Sequence, residues 1–220
     1  MKRFHSSKGA ASIVIALLFI VSNVLIGQES DQGKKEQGKM HSSVNSKKKI
    51  AVMETSMGTV EFELYTDDAP KTTENFMKLA EKKFFNGMRI HRVSKGFVIQ
   101  TGDEKSKDLK QVNAWGTGGQ SIWGKPFADE LVAATPSYKE GYKRGIVAMA
   151  NAGPNTNTSQ FFICLMDLPK LPHNYTIFGK VVNGMDVVDK IGNVDIIPGQ
   201  MGPTDGRPKT DVMVKKITIK

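Results

Sequence analysis

Arg92 stands in the run Ile90-His91-Arg92-Val93, a charge set among apolar neighbours. A guanidinium is always protonated and carries its donors in a fixed fork, which suits it to aim hydrogen bonds at one point. An ordinary arginine on the outward face of a strand is the plainer reading of the same pattern. Farther along, the stretch Gly145 to Leu165 reads GIVAMANAGPNTNTSQFFICL. Its apolar ends, 146–150 and 161–165, read as short buried strands. Between them Asn151 to Gln160 is small and polar, rich in residues that form turns. Such a loop needs partners for its backbone, and loops on rigid scaffolds are where binding groups concentrate.

Other chemistries are excluded by what the chain lacks. Cys164 is the only cysteine and lies in an apolar run. It reads as a buried, inert thiol, with no internal disulfide and no cysteine metal cluster. His5, His41, His91 and His173 have no ligand spacing, so no metal site is expected. His91 reads as a structural histidine with its hydrogen bonds satisfied. Gly119 to Lys125 (GQSIWGK) approaches a phosphate-binding loop, but Pro126 stands where Ser or Thr is required and no helical pattern follows. Gly116, Thr117, Gly118 and Gly119 read instead as a tight loop. The glycosylation patterns at Asn157-Thr158-Ser159 and Asn174-Tyr175-Thr176 read as chance.

The elements that must position these residues follow from the hydropathy pattern. Ile50–Thr55 and Thr59–Tyr65 read as strands joined at Met57-Gly58, with Val60, Phe62 and Leu64 alternating with Glu61 and Glu63. Asp67, Asp68, Ala69 and Pro70 open a helix, acids at its positive end, with Phe76, Leu79 and Ala80 on its inner face. Met88 to Gln100 reads as strand broken at Lys95-Gly96, and Thr101 to about Lys143 as a long irregular middle. Tyr175–Val182 and Asp211–Lys220 read as strands, and Met185–Ile191 as a short helix with Val187, Val188 and Ile191 inward. Many short strands with two helices suggest a mainly β domain, an antiparallel barrel.

Charge and composition set the organisation. The 220 residues carry a net charge of +9, but residues 1–49 hold nine Lys/Arg against three acids, leaving only +3 on the rest. A nucleic-acid protein would concentrate charge on its domain, so no nucleic acid is expected. Lys2, Arg3 and Lys8 precede a charge-free, mostly apolar run from Ala10 to Ile26, with Gly27 as a cleavage residue. This is the pattern of a signal peptide over residues 1–27, or of an uncleaved anchor; with no cysteine after the run, a lipoprotein anchor is excluded. Residues 28–49 read as a flexible basic linker, and residues 50–220 as the folded domain. The expectation is export across the cytoplasmic membrane of a bacterium to the periplasm, or anchoring by residues 10–26.

Three blocks occurring in one order carry a family resemblance: Phe85 to Asp103 (FNGMRIHRVSKGFVIQTGD), Gly116 to Gly124 (GTGGQSIWG) and Met149 to Ile163 (MANAGPNTNTSQFFI). Over about residues 50–220 the chain resembles the cyclophilin family of peptidyl-prolyl cis/trans isomerases. The resemblance implies a closed eight-stranded antiparallel barrel capped by two helices, and no cofactor. It implies that Arg92 is the catalytic arginine and that Phe97, Phe162 and Leu171 form a proline pocket. Val98 stands where many members carry Met, and Tyr175 where many carry His, at the pocket rim. Gln100, Asn151 and Gln160 would hold the peptide backbone and steady the arginine; Ala150 and Ala152 would line the groove for the residue before proline. Lys170 departs from the Trp that many members carry, so weak cyclosporin binding is expected. The implied partners are proline-containing unfolded or flexible polypeptides, met by a monomer that assists the folding of exported proteins. A proline-binding chaperone module of the same fold with little turnover is the alternative.

Overall fold

The computed structural model describes residues 48–220. The expected signal segment, and all of the expected linker but Lys48 and Lys49, lie outside the described residues. The strands are β1 (Ile50–Thr55), β2 (Gly58–Leu64), β3 (Met88–Arg89), β4 (Arg92–Ser94), β5 (Val98–Thr101), β6 (Ile146–Met149), β7 (Phe161–Cys164), β8 (Ile177–Asn183), β9 (Ile196–Gly199), β10 (Gly202–Pro208) and β11 (Met213–Ile219). The helices are α1 (Pro70–Glu81), α2 (Pro136–Glu140) and α3 (Met185–Gly192).

These strands form one sheet in the order β3-β11-β1-β2-β8-β6-β7-β5-β4-β10-β9. The expectation of a closed eight-stranded barrel is therefore corrected to an eleven-stranded sheet whose ladder has two open ends. Two physical causes account for the difference. The strand expected from Met88 onward is broken at Ile90-His91: β3 pairs with β11, while β4 pairs with β5 and β10. The second cause is the β9–β10 hairpin, built from a Gly- and Pro-rich stretch that shows no alternation. Because β3 and β4 are successive in the chain yet far apart in the ladder, the sheet has to curl. The capping elements also exceed expectation: α2 is a third helix of five residues, and the middle of the chain holds 3-10 turns at Glu104–Lys107 and Leu109–Ala114.

Register sorts side chains to two sides of this curled sheet. Val93, Ile99, Ile163 and Val147 lie opposite one another across β4, β5, β7 and β6. Side chains directly opposite on an antiparallel ladder share a face, and these four belong to the main core. Phe76 of α1 centres that core, with ring centroids 5.1–5.6 Å from those of Phe62, Phe85, Phe161 and Phe178. Burying each such ring contributes about 1.5–3 kcal/mol. The alternate row, Arg92, Gln100, Phe162 and Ala148, faces the other way. There Phe162 and Ala148 join a second, smaller cluster with Val98, Tyr142, Ile146, Cys164, Leu168 and Ile177.

The acids expected to cap α1 act elsewhere. Glu130 caps that helix across the molecule, its carboxylate accepting from the backbone N–H of Lys71 and Thr72 at 3.0 and 2.8 Å. Asp68 instead accepts from the Ser137 N–H, in the first turn of α2, at 2.7 Å. Either way a carboxylate meets the positive end of a helix, but the pairing is long-range in both cases.

Candidate active site

The site lies on the outer row. Arg92 on β4 directs Nε at both oxygens of Asp205, at 3.0 and 3.1 Å, and Nη2 at one of them, at 2.7 Å. Its Nη1 donates to Gln100 Oε1 at 3.0 Å. Gln100 Nε2 donates in turn to Gln160 Oε1 at 3.0 Å, and Gln160 Nε2 to the carbonyls of Gly116 and Gly118 at 3.0 and 2.8 Å. A continuous polar chain thus runs from the β9–β10 hairpin through Arg92 to the glycine loop. Among the described residues, nothing takes the second hydrogens of Nη1 and Nη2.

Burial opposes the charge of Asp205, but hydrogen bonds from Arg92 and Ser94 and the guanidinium's charge outweigh it and hold the carboxyl below its ordinary range. Asp205 is therefore ionised at neutral pH, and the pair is charge-assisted.

Beside the guanidinium is a pocket of about 180 Å³ lined by Arg92, Phe97, Val98, Gln100, Ala150, Asn151, Phe162, Leu171 and Tyr175. Phe162 forms its floor, only 5 % exposed. The Tyr175 ring packs against Phe162 edge-on at 5.6 Å. Tyr142 fixes Tyr175 by its backbone: the phenol donates to the Tyr175 carbonyl at 2.8 Å and accepts from its N–H at 3.0 Å. Burial pushes that phenol up to about 12, so it stays a neutral donor. Next to this pocket is a larger groove of about 790 Å³, bounded by Gly116 to Gly119, Ala150 to Ala152 and Gln160.

Nine of the eleven residues expected at the site therefore line one pocket. Ala152 and Gln160 line the adjoining groove instead, which Gln100, Ala150 and Asn151 share. Asn151 uses its amide to hold the Asn174 carbonyl at 2.8 Å. Lys170 is exposed and lines neither cavity.

Other expectations resolve similarly. Cys164 is buried, and burial pushes its thiol up to about 12, which leaves it inert. Gly119 to Lys125 closes as a local turn through Ser121, whose hydroxyl donates to the Lys125 carbonyl and accepts from Trp123 N–H. Asn157 is fully buried, with its amide on Asp129 and the Phe127 carbonyl, so no sugar can reach it in the folded protein. His91 is buried, as expected of a structural histidine. Burial pushes the imidazole down to about 4; Asp103 and a hydrogen bond with Gln160 oppose this, and Arg92 reinforces it.

Sequence reasoning missed three supporting residues. Asp205 lies 113 positions from Arg92 in a stretch that reads as turn. Tyr142 sits before a glycine turn with no apolar periodicity to mark it. Asp103 anchors the glycine loop, accepting from the N–H groups of Gly116 and Gly118 at 2.5 and 3.2 Å. A side chain on Gly118 would meet the Asp103 carboxylate at 2.2 Å, so any larger residue there has to displace the acid that anchors the loop. An acid directly after Gly102, at the end of an apolar strand, was the one available signal.

The structure thus presents a curled antiparallel sheet with a fixed guanidinium lining a small, largely apolar pocket. The comparisons agree. A family model, cyclophilin type peptidyl-prolyl cis-trans isomerase/CLD, matches residues 50–219. Peptidyl-prolyl cis-trans isomerase-like 3 of Gallus gallus is 41% identical over 167 residues, covering 76% of this chain and 93% of that protein. The crystal structure of a Cryptosporidium parvum cyclophilin type peptidyl-prolyl cis-trans isomerase matches with a TM-score of 0.67 at 32% identity, covering 79% of this chain and 98% of that one. The same protein in the presence of the dipeptide Ala-Pro matches with a TM-score of 0.66 at 33% identity, over 78% and 98% of the two chains. This chain belongs to the cyclophilin family of peptidyl-prolyl cis-trans isomerases.

Proposed function

We propose that Arg92 accelerates rotation about Xaa–Pro bonds by stabilising the twisted amide. Rotation has to break amide resonance, a barrier of about 18–20 kcal/mol. No covalent bond need break, so an enzyme has only to bind the twisted state better than either planar one. In that state the prolyl nitrogen becomes pyramidal and gains a lone pair. The observation that carries the reading is the guanidinium itself: three of its five N–H groups are committed to Asp205 and Gln100, which leaves two to donate from a side chain that lines the pocket. A donor aimed at the prolyl nitrogen gains strength as the lone pair appears and contributes little to the planar amide.

In this reading Phe97, Val98, Phe162, Leu171 and Tyr175 hold the proline ring. Gln100, Asn151 and Gln160 steady the arginine and the peptide backbone, and Ala150 and Ala152 let the residue before proline approach. The substrates are proline-containing unfolded or flexible polypeptides, a reading supported by the structure of the Cryptosporidium parvum relative determined in the presence of the dipeptide Ala-Pro. The N-terminal pattern supports export across a bacterial cytoplasmic membrane and a role in the folding of exported proteins; in this reading the protein acts as a monomer, and Lys170 at the Trp position weakens its binding of cyclosporin. The test is exchange NMR on an Ala-Pro peptide with the full-length protein beside Arg92→Ala. Loss of a single positioned donor should lower kcat/KM by about 10²–10³; equal rates in the two proteins would reject the mechanism.

A further inference from the structure

The geometry points to Asp205 as a positioning residue for isomerisation: it fixes the plane of the Arg92 guanidinium, which lines the pocket and keeps two N–H groups free to donate. This rests on the reading of Arg92 as the donor. An arginine side chain has several freely rotating bonds, and a solvated one on a strand face would sample many of them. Here the Nε–Nη2 edge meets the carboxylate in a fork, with contacts of 3.0, 3.1 and 2.7 Å. A fork sets both direction and plane, whereas the single bond to Gln100 sets neither alone.

The carboxylate is itself tightly held. Asp205 is 7 % exposed, and its backbone pairs with Ser94 on β4, two residues from Arg92 and on the same face. The next residue, Gly206, pairs with Val93, and a Cβ there would meet the Ile197 carbonyl at 2.1 Å. That crossing locks β9 onto β10 and so sets where Asp205 points. The hairpin buries little of its own outer strand, with Ile197, Pro198 and Gly199 all exposed. A stretch with little core of its own that ends on the one arginine of the pocket is better explained by that contact than by packing. Placement of a donor within tenths of an ångström decides whether it reaches a transition state at all.

The experiment is exchange NMR on an Ala-Pro peptide with full-length wild type, Asp205→Asn, Arg92→Ala and the double variant. Asp205→Asn keeps the size and one acceptor but loses the fork. We expect kcat to fall about tenfold with KM nearly unchanged, as for loss of a charge-assisted hydrogen bond. The Arg92 Nε–Hε resonance, protected in the wild type, should exchange rapidly with solvent in Asp205→Asn. In the Arg92→Ala background the same substitution should have no further effect. A merely structural role would lower both backgrounds alike and leave Arg92 Nε–Hε protected; either result overturns the inference, as does wild-type kcat in Asp205→Asn. Undiminished turnover in Arg92→Ala would instead sink the reading of Arg92 and this one with it, so the two failures are distinguishable. The backbone spectrum of each variant reports independently that it is folded.

Discussion

The two walls of the pocket are built on opposite principles. The apolar wall rests on Phe162 and Val98, buried side chains on neighbouring strands β7 and β5, backed by the smaller core cluster. The polar wall is a chain of single contacts, Asp205 to Arg92 to Gln100 to Gln160 to the glycine loop, joining positions up to 113 residues apart. Apolar burial is non-directional and tolerates small shifts. A hydrogen-bonded chain depends on direction at every link. The apolar wall should therefore govern stability and grip, and the polar wall turnover.

The largest expected effect tests the apolar side. Phe162→Ala removes a ring that is 5 % exposed and touches Tyr142 and Tyr175. It should destabilise the fold by about 3–5 kcal/mol, read as a drop in Tm, and abolish peptide binding. A variant that lost turnover but kept its Tm would break the contrast between the walls.

Next comes pH, acting behind the polar wall. His91 has a folded value of about 4 against an ordinary 6.5, chiefly through burial. Its neutral form is thus the folded form. Above pH 6.5 neither state binds the proton, and nothing is lost. As pH falls from 6.5 to 4 only the unfolded chain takes the proton, and about 3 kcal/mol of stability should disappear. Denaturant melts across that range measure it. His91→Phe, which removes the titrating imidazole, should flatten the slope; an equally steep slope in that variant would show that other groups carry it.

A smaller effect separates the walls from the polar side. Gln160→Ala removes the link between Gln100 and the carbonyls of Gly116 and Gly118. The groove beside it lets water replace some of those bonds, so stability should fall by only about 1 kcal/mol. The fractional loss of turnover should be greater than the change in Tm suggests. Equal Tm loss and unchanged kcat would place Gln160 with the packing residues.

The contrast also explains what the sequence reveals. Strands β2 and β11 and helices α1 and α3 follow from local hydropathy period, because burial on one face leaves a pattern of two or of three to four, and β1 and β7 follow from short apolar runs. Of the apolar pocket residues, Phe162 lies in such a run, on β7, and Val98 in the apolar start of β5. The polar wall leaves no such mark: nothing in the stretch Gly202 to Pro208 says that Asp205 meets Arg92, and nothing near Asp67 says that Glu130 caps α1. Both are tertiary pairings between distant segments. The count of strands fails for the same reason, since the break at Ile90-His91 arises from which neighbours each half pairs with and not from any local breaker.

The smallest change extends the apolar wall without touching the polar one. Lys170 is exposed and adjoins Leu171, which lines the pocket. Lys170→Trp would add an indole beside Leu171 and enlarge the apolar surface open to a ligand. A surface substitution of this kind should move stability by no more than about 0.5 kcal/mol. Cyclosporin, a large apolar ligand, should bind roughly tenfold tighter for about 50 Å² of extra apolar contact. Turnover of a short Ala-Pro peptide should stay the same, because the donor, its fork and the ring-gripping residues are all unchanged. Titration calorimetry and exchange NMR on one preparation read both quantities. Unchanged cyclosporin affinity would mean that the apolar wall ends at Leu171; a changed turnover would mean that the two walls are not separable at this rim.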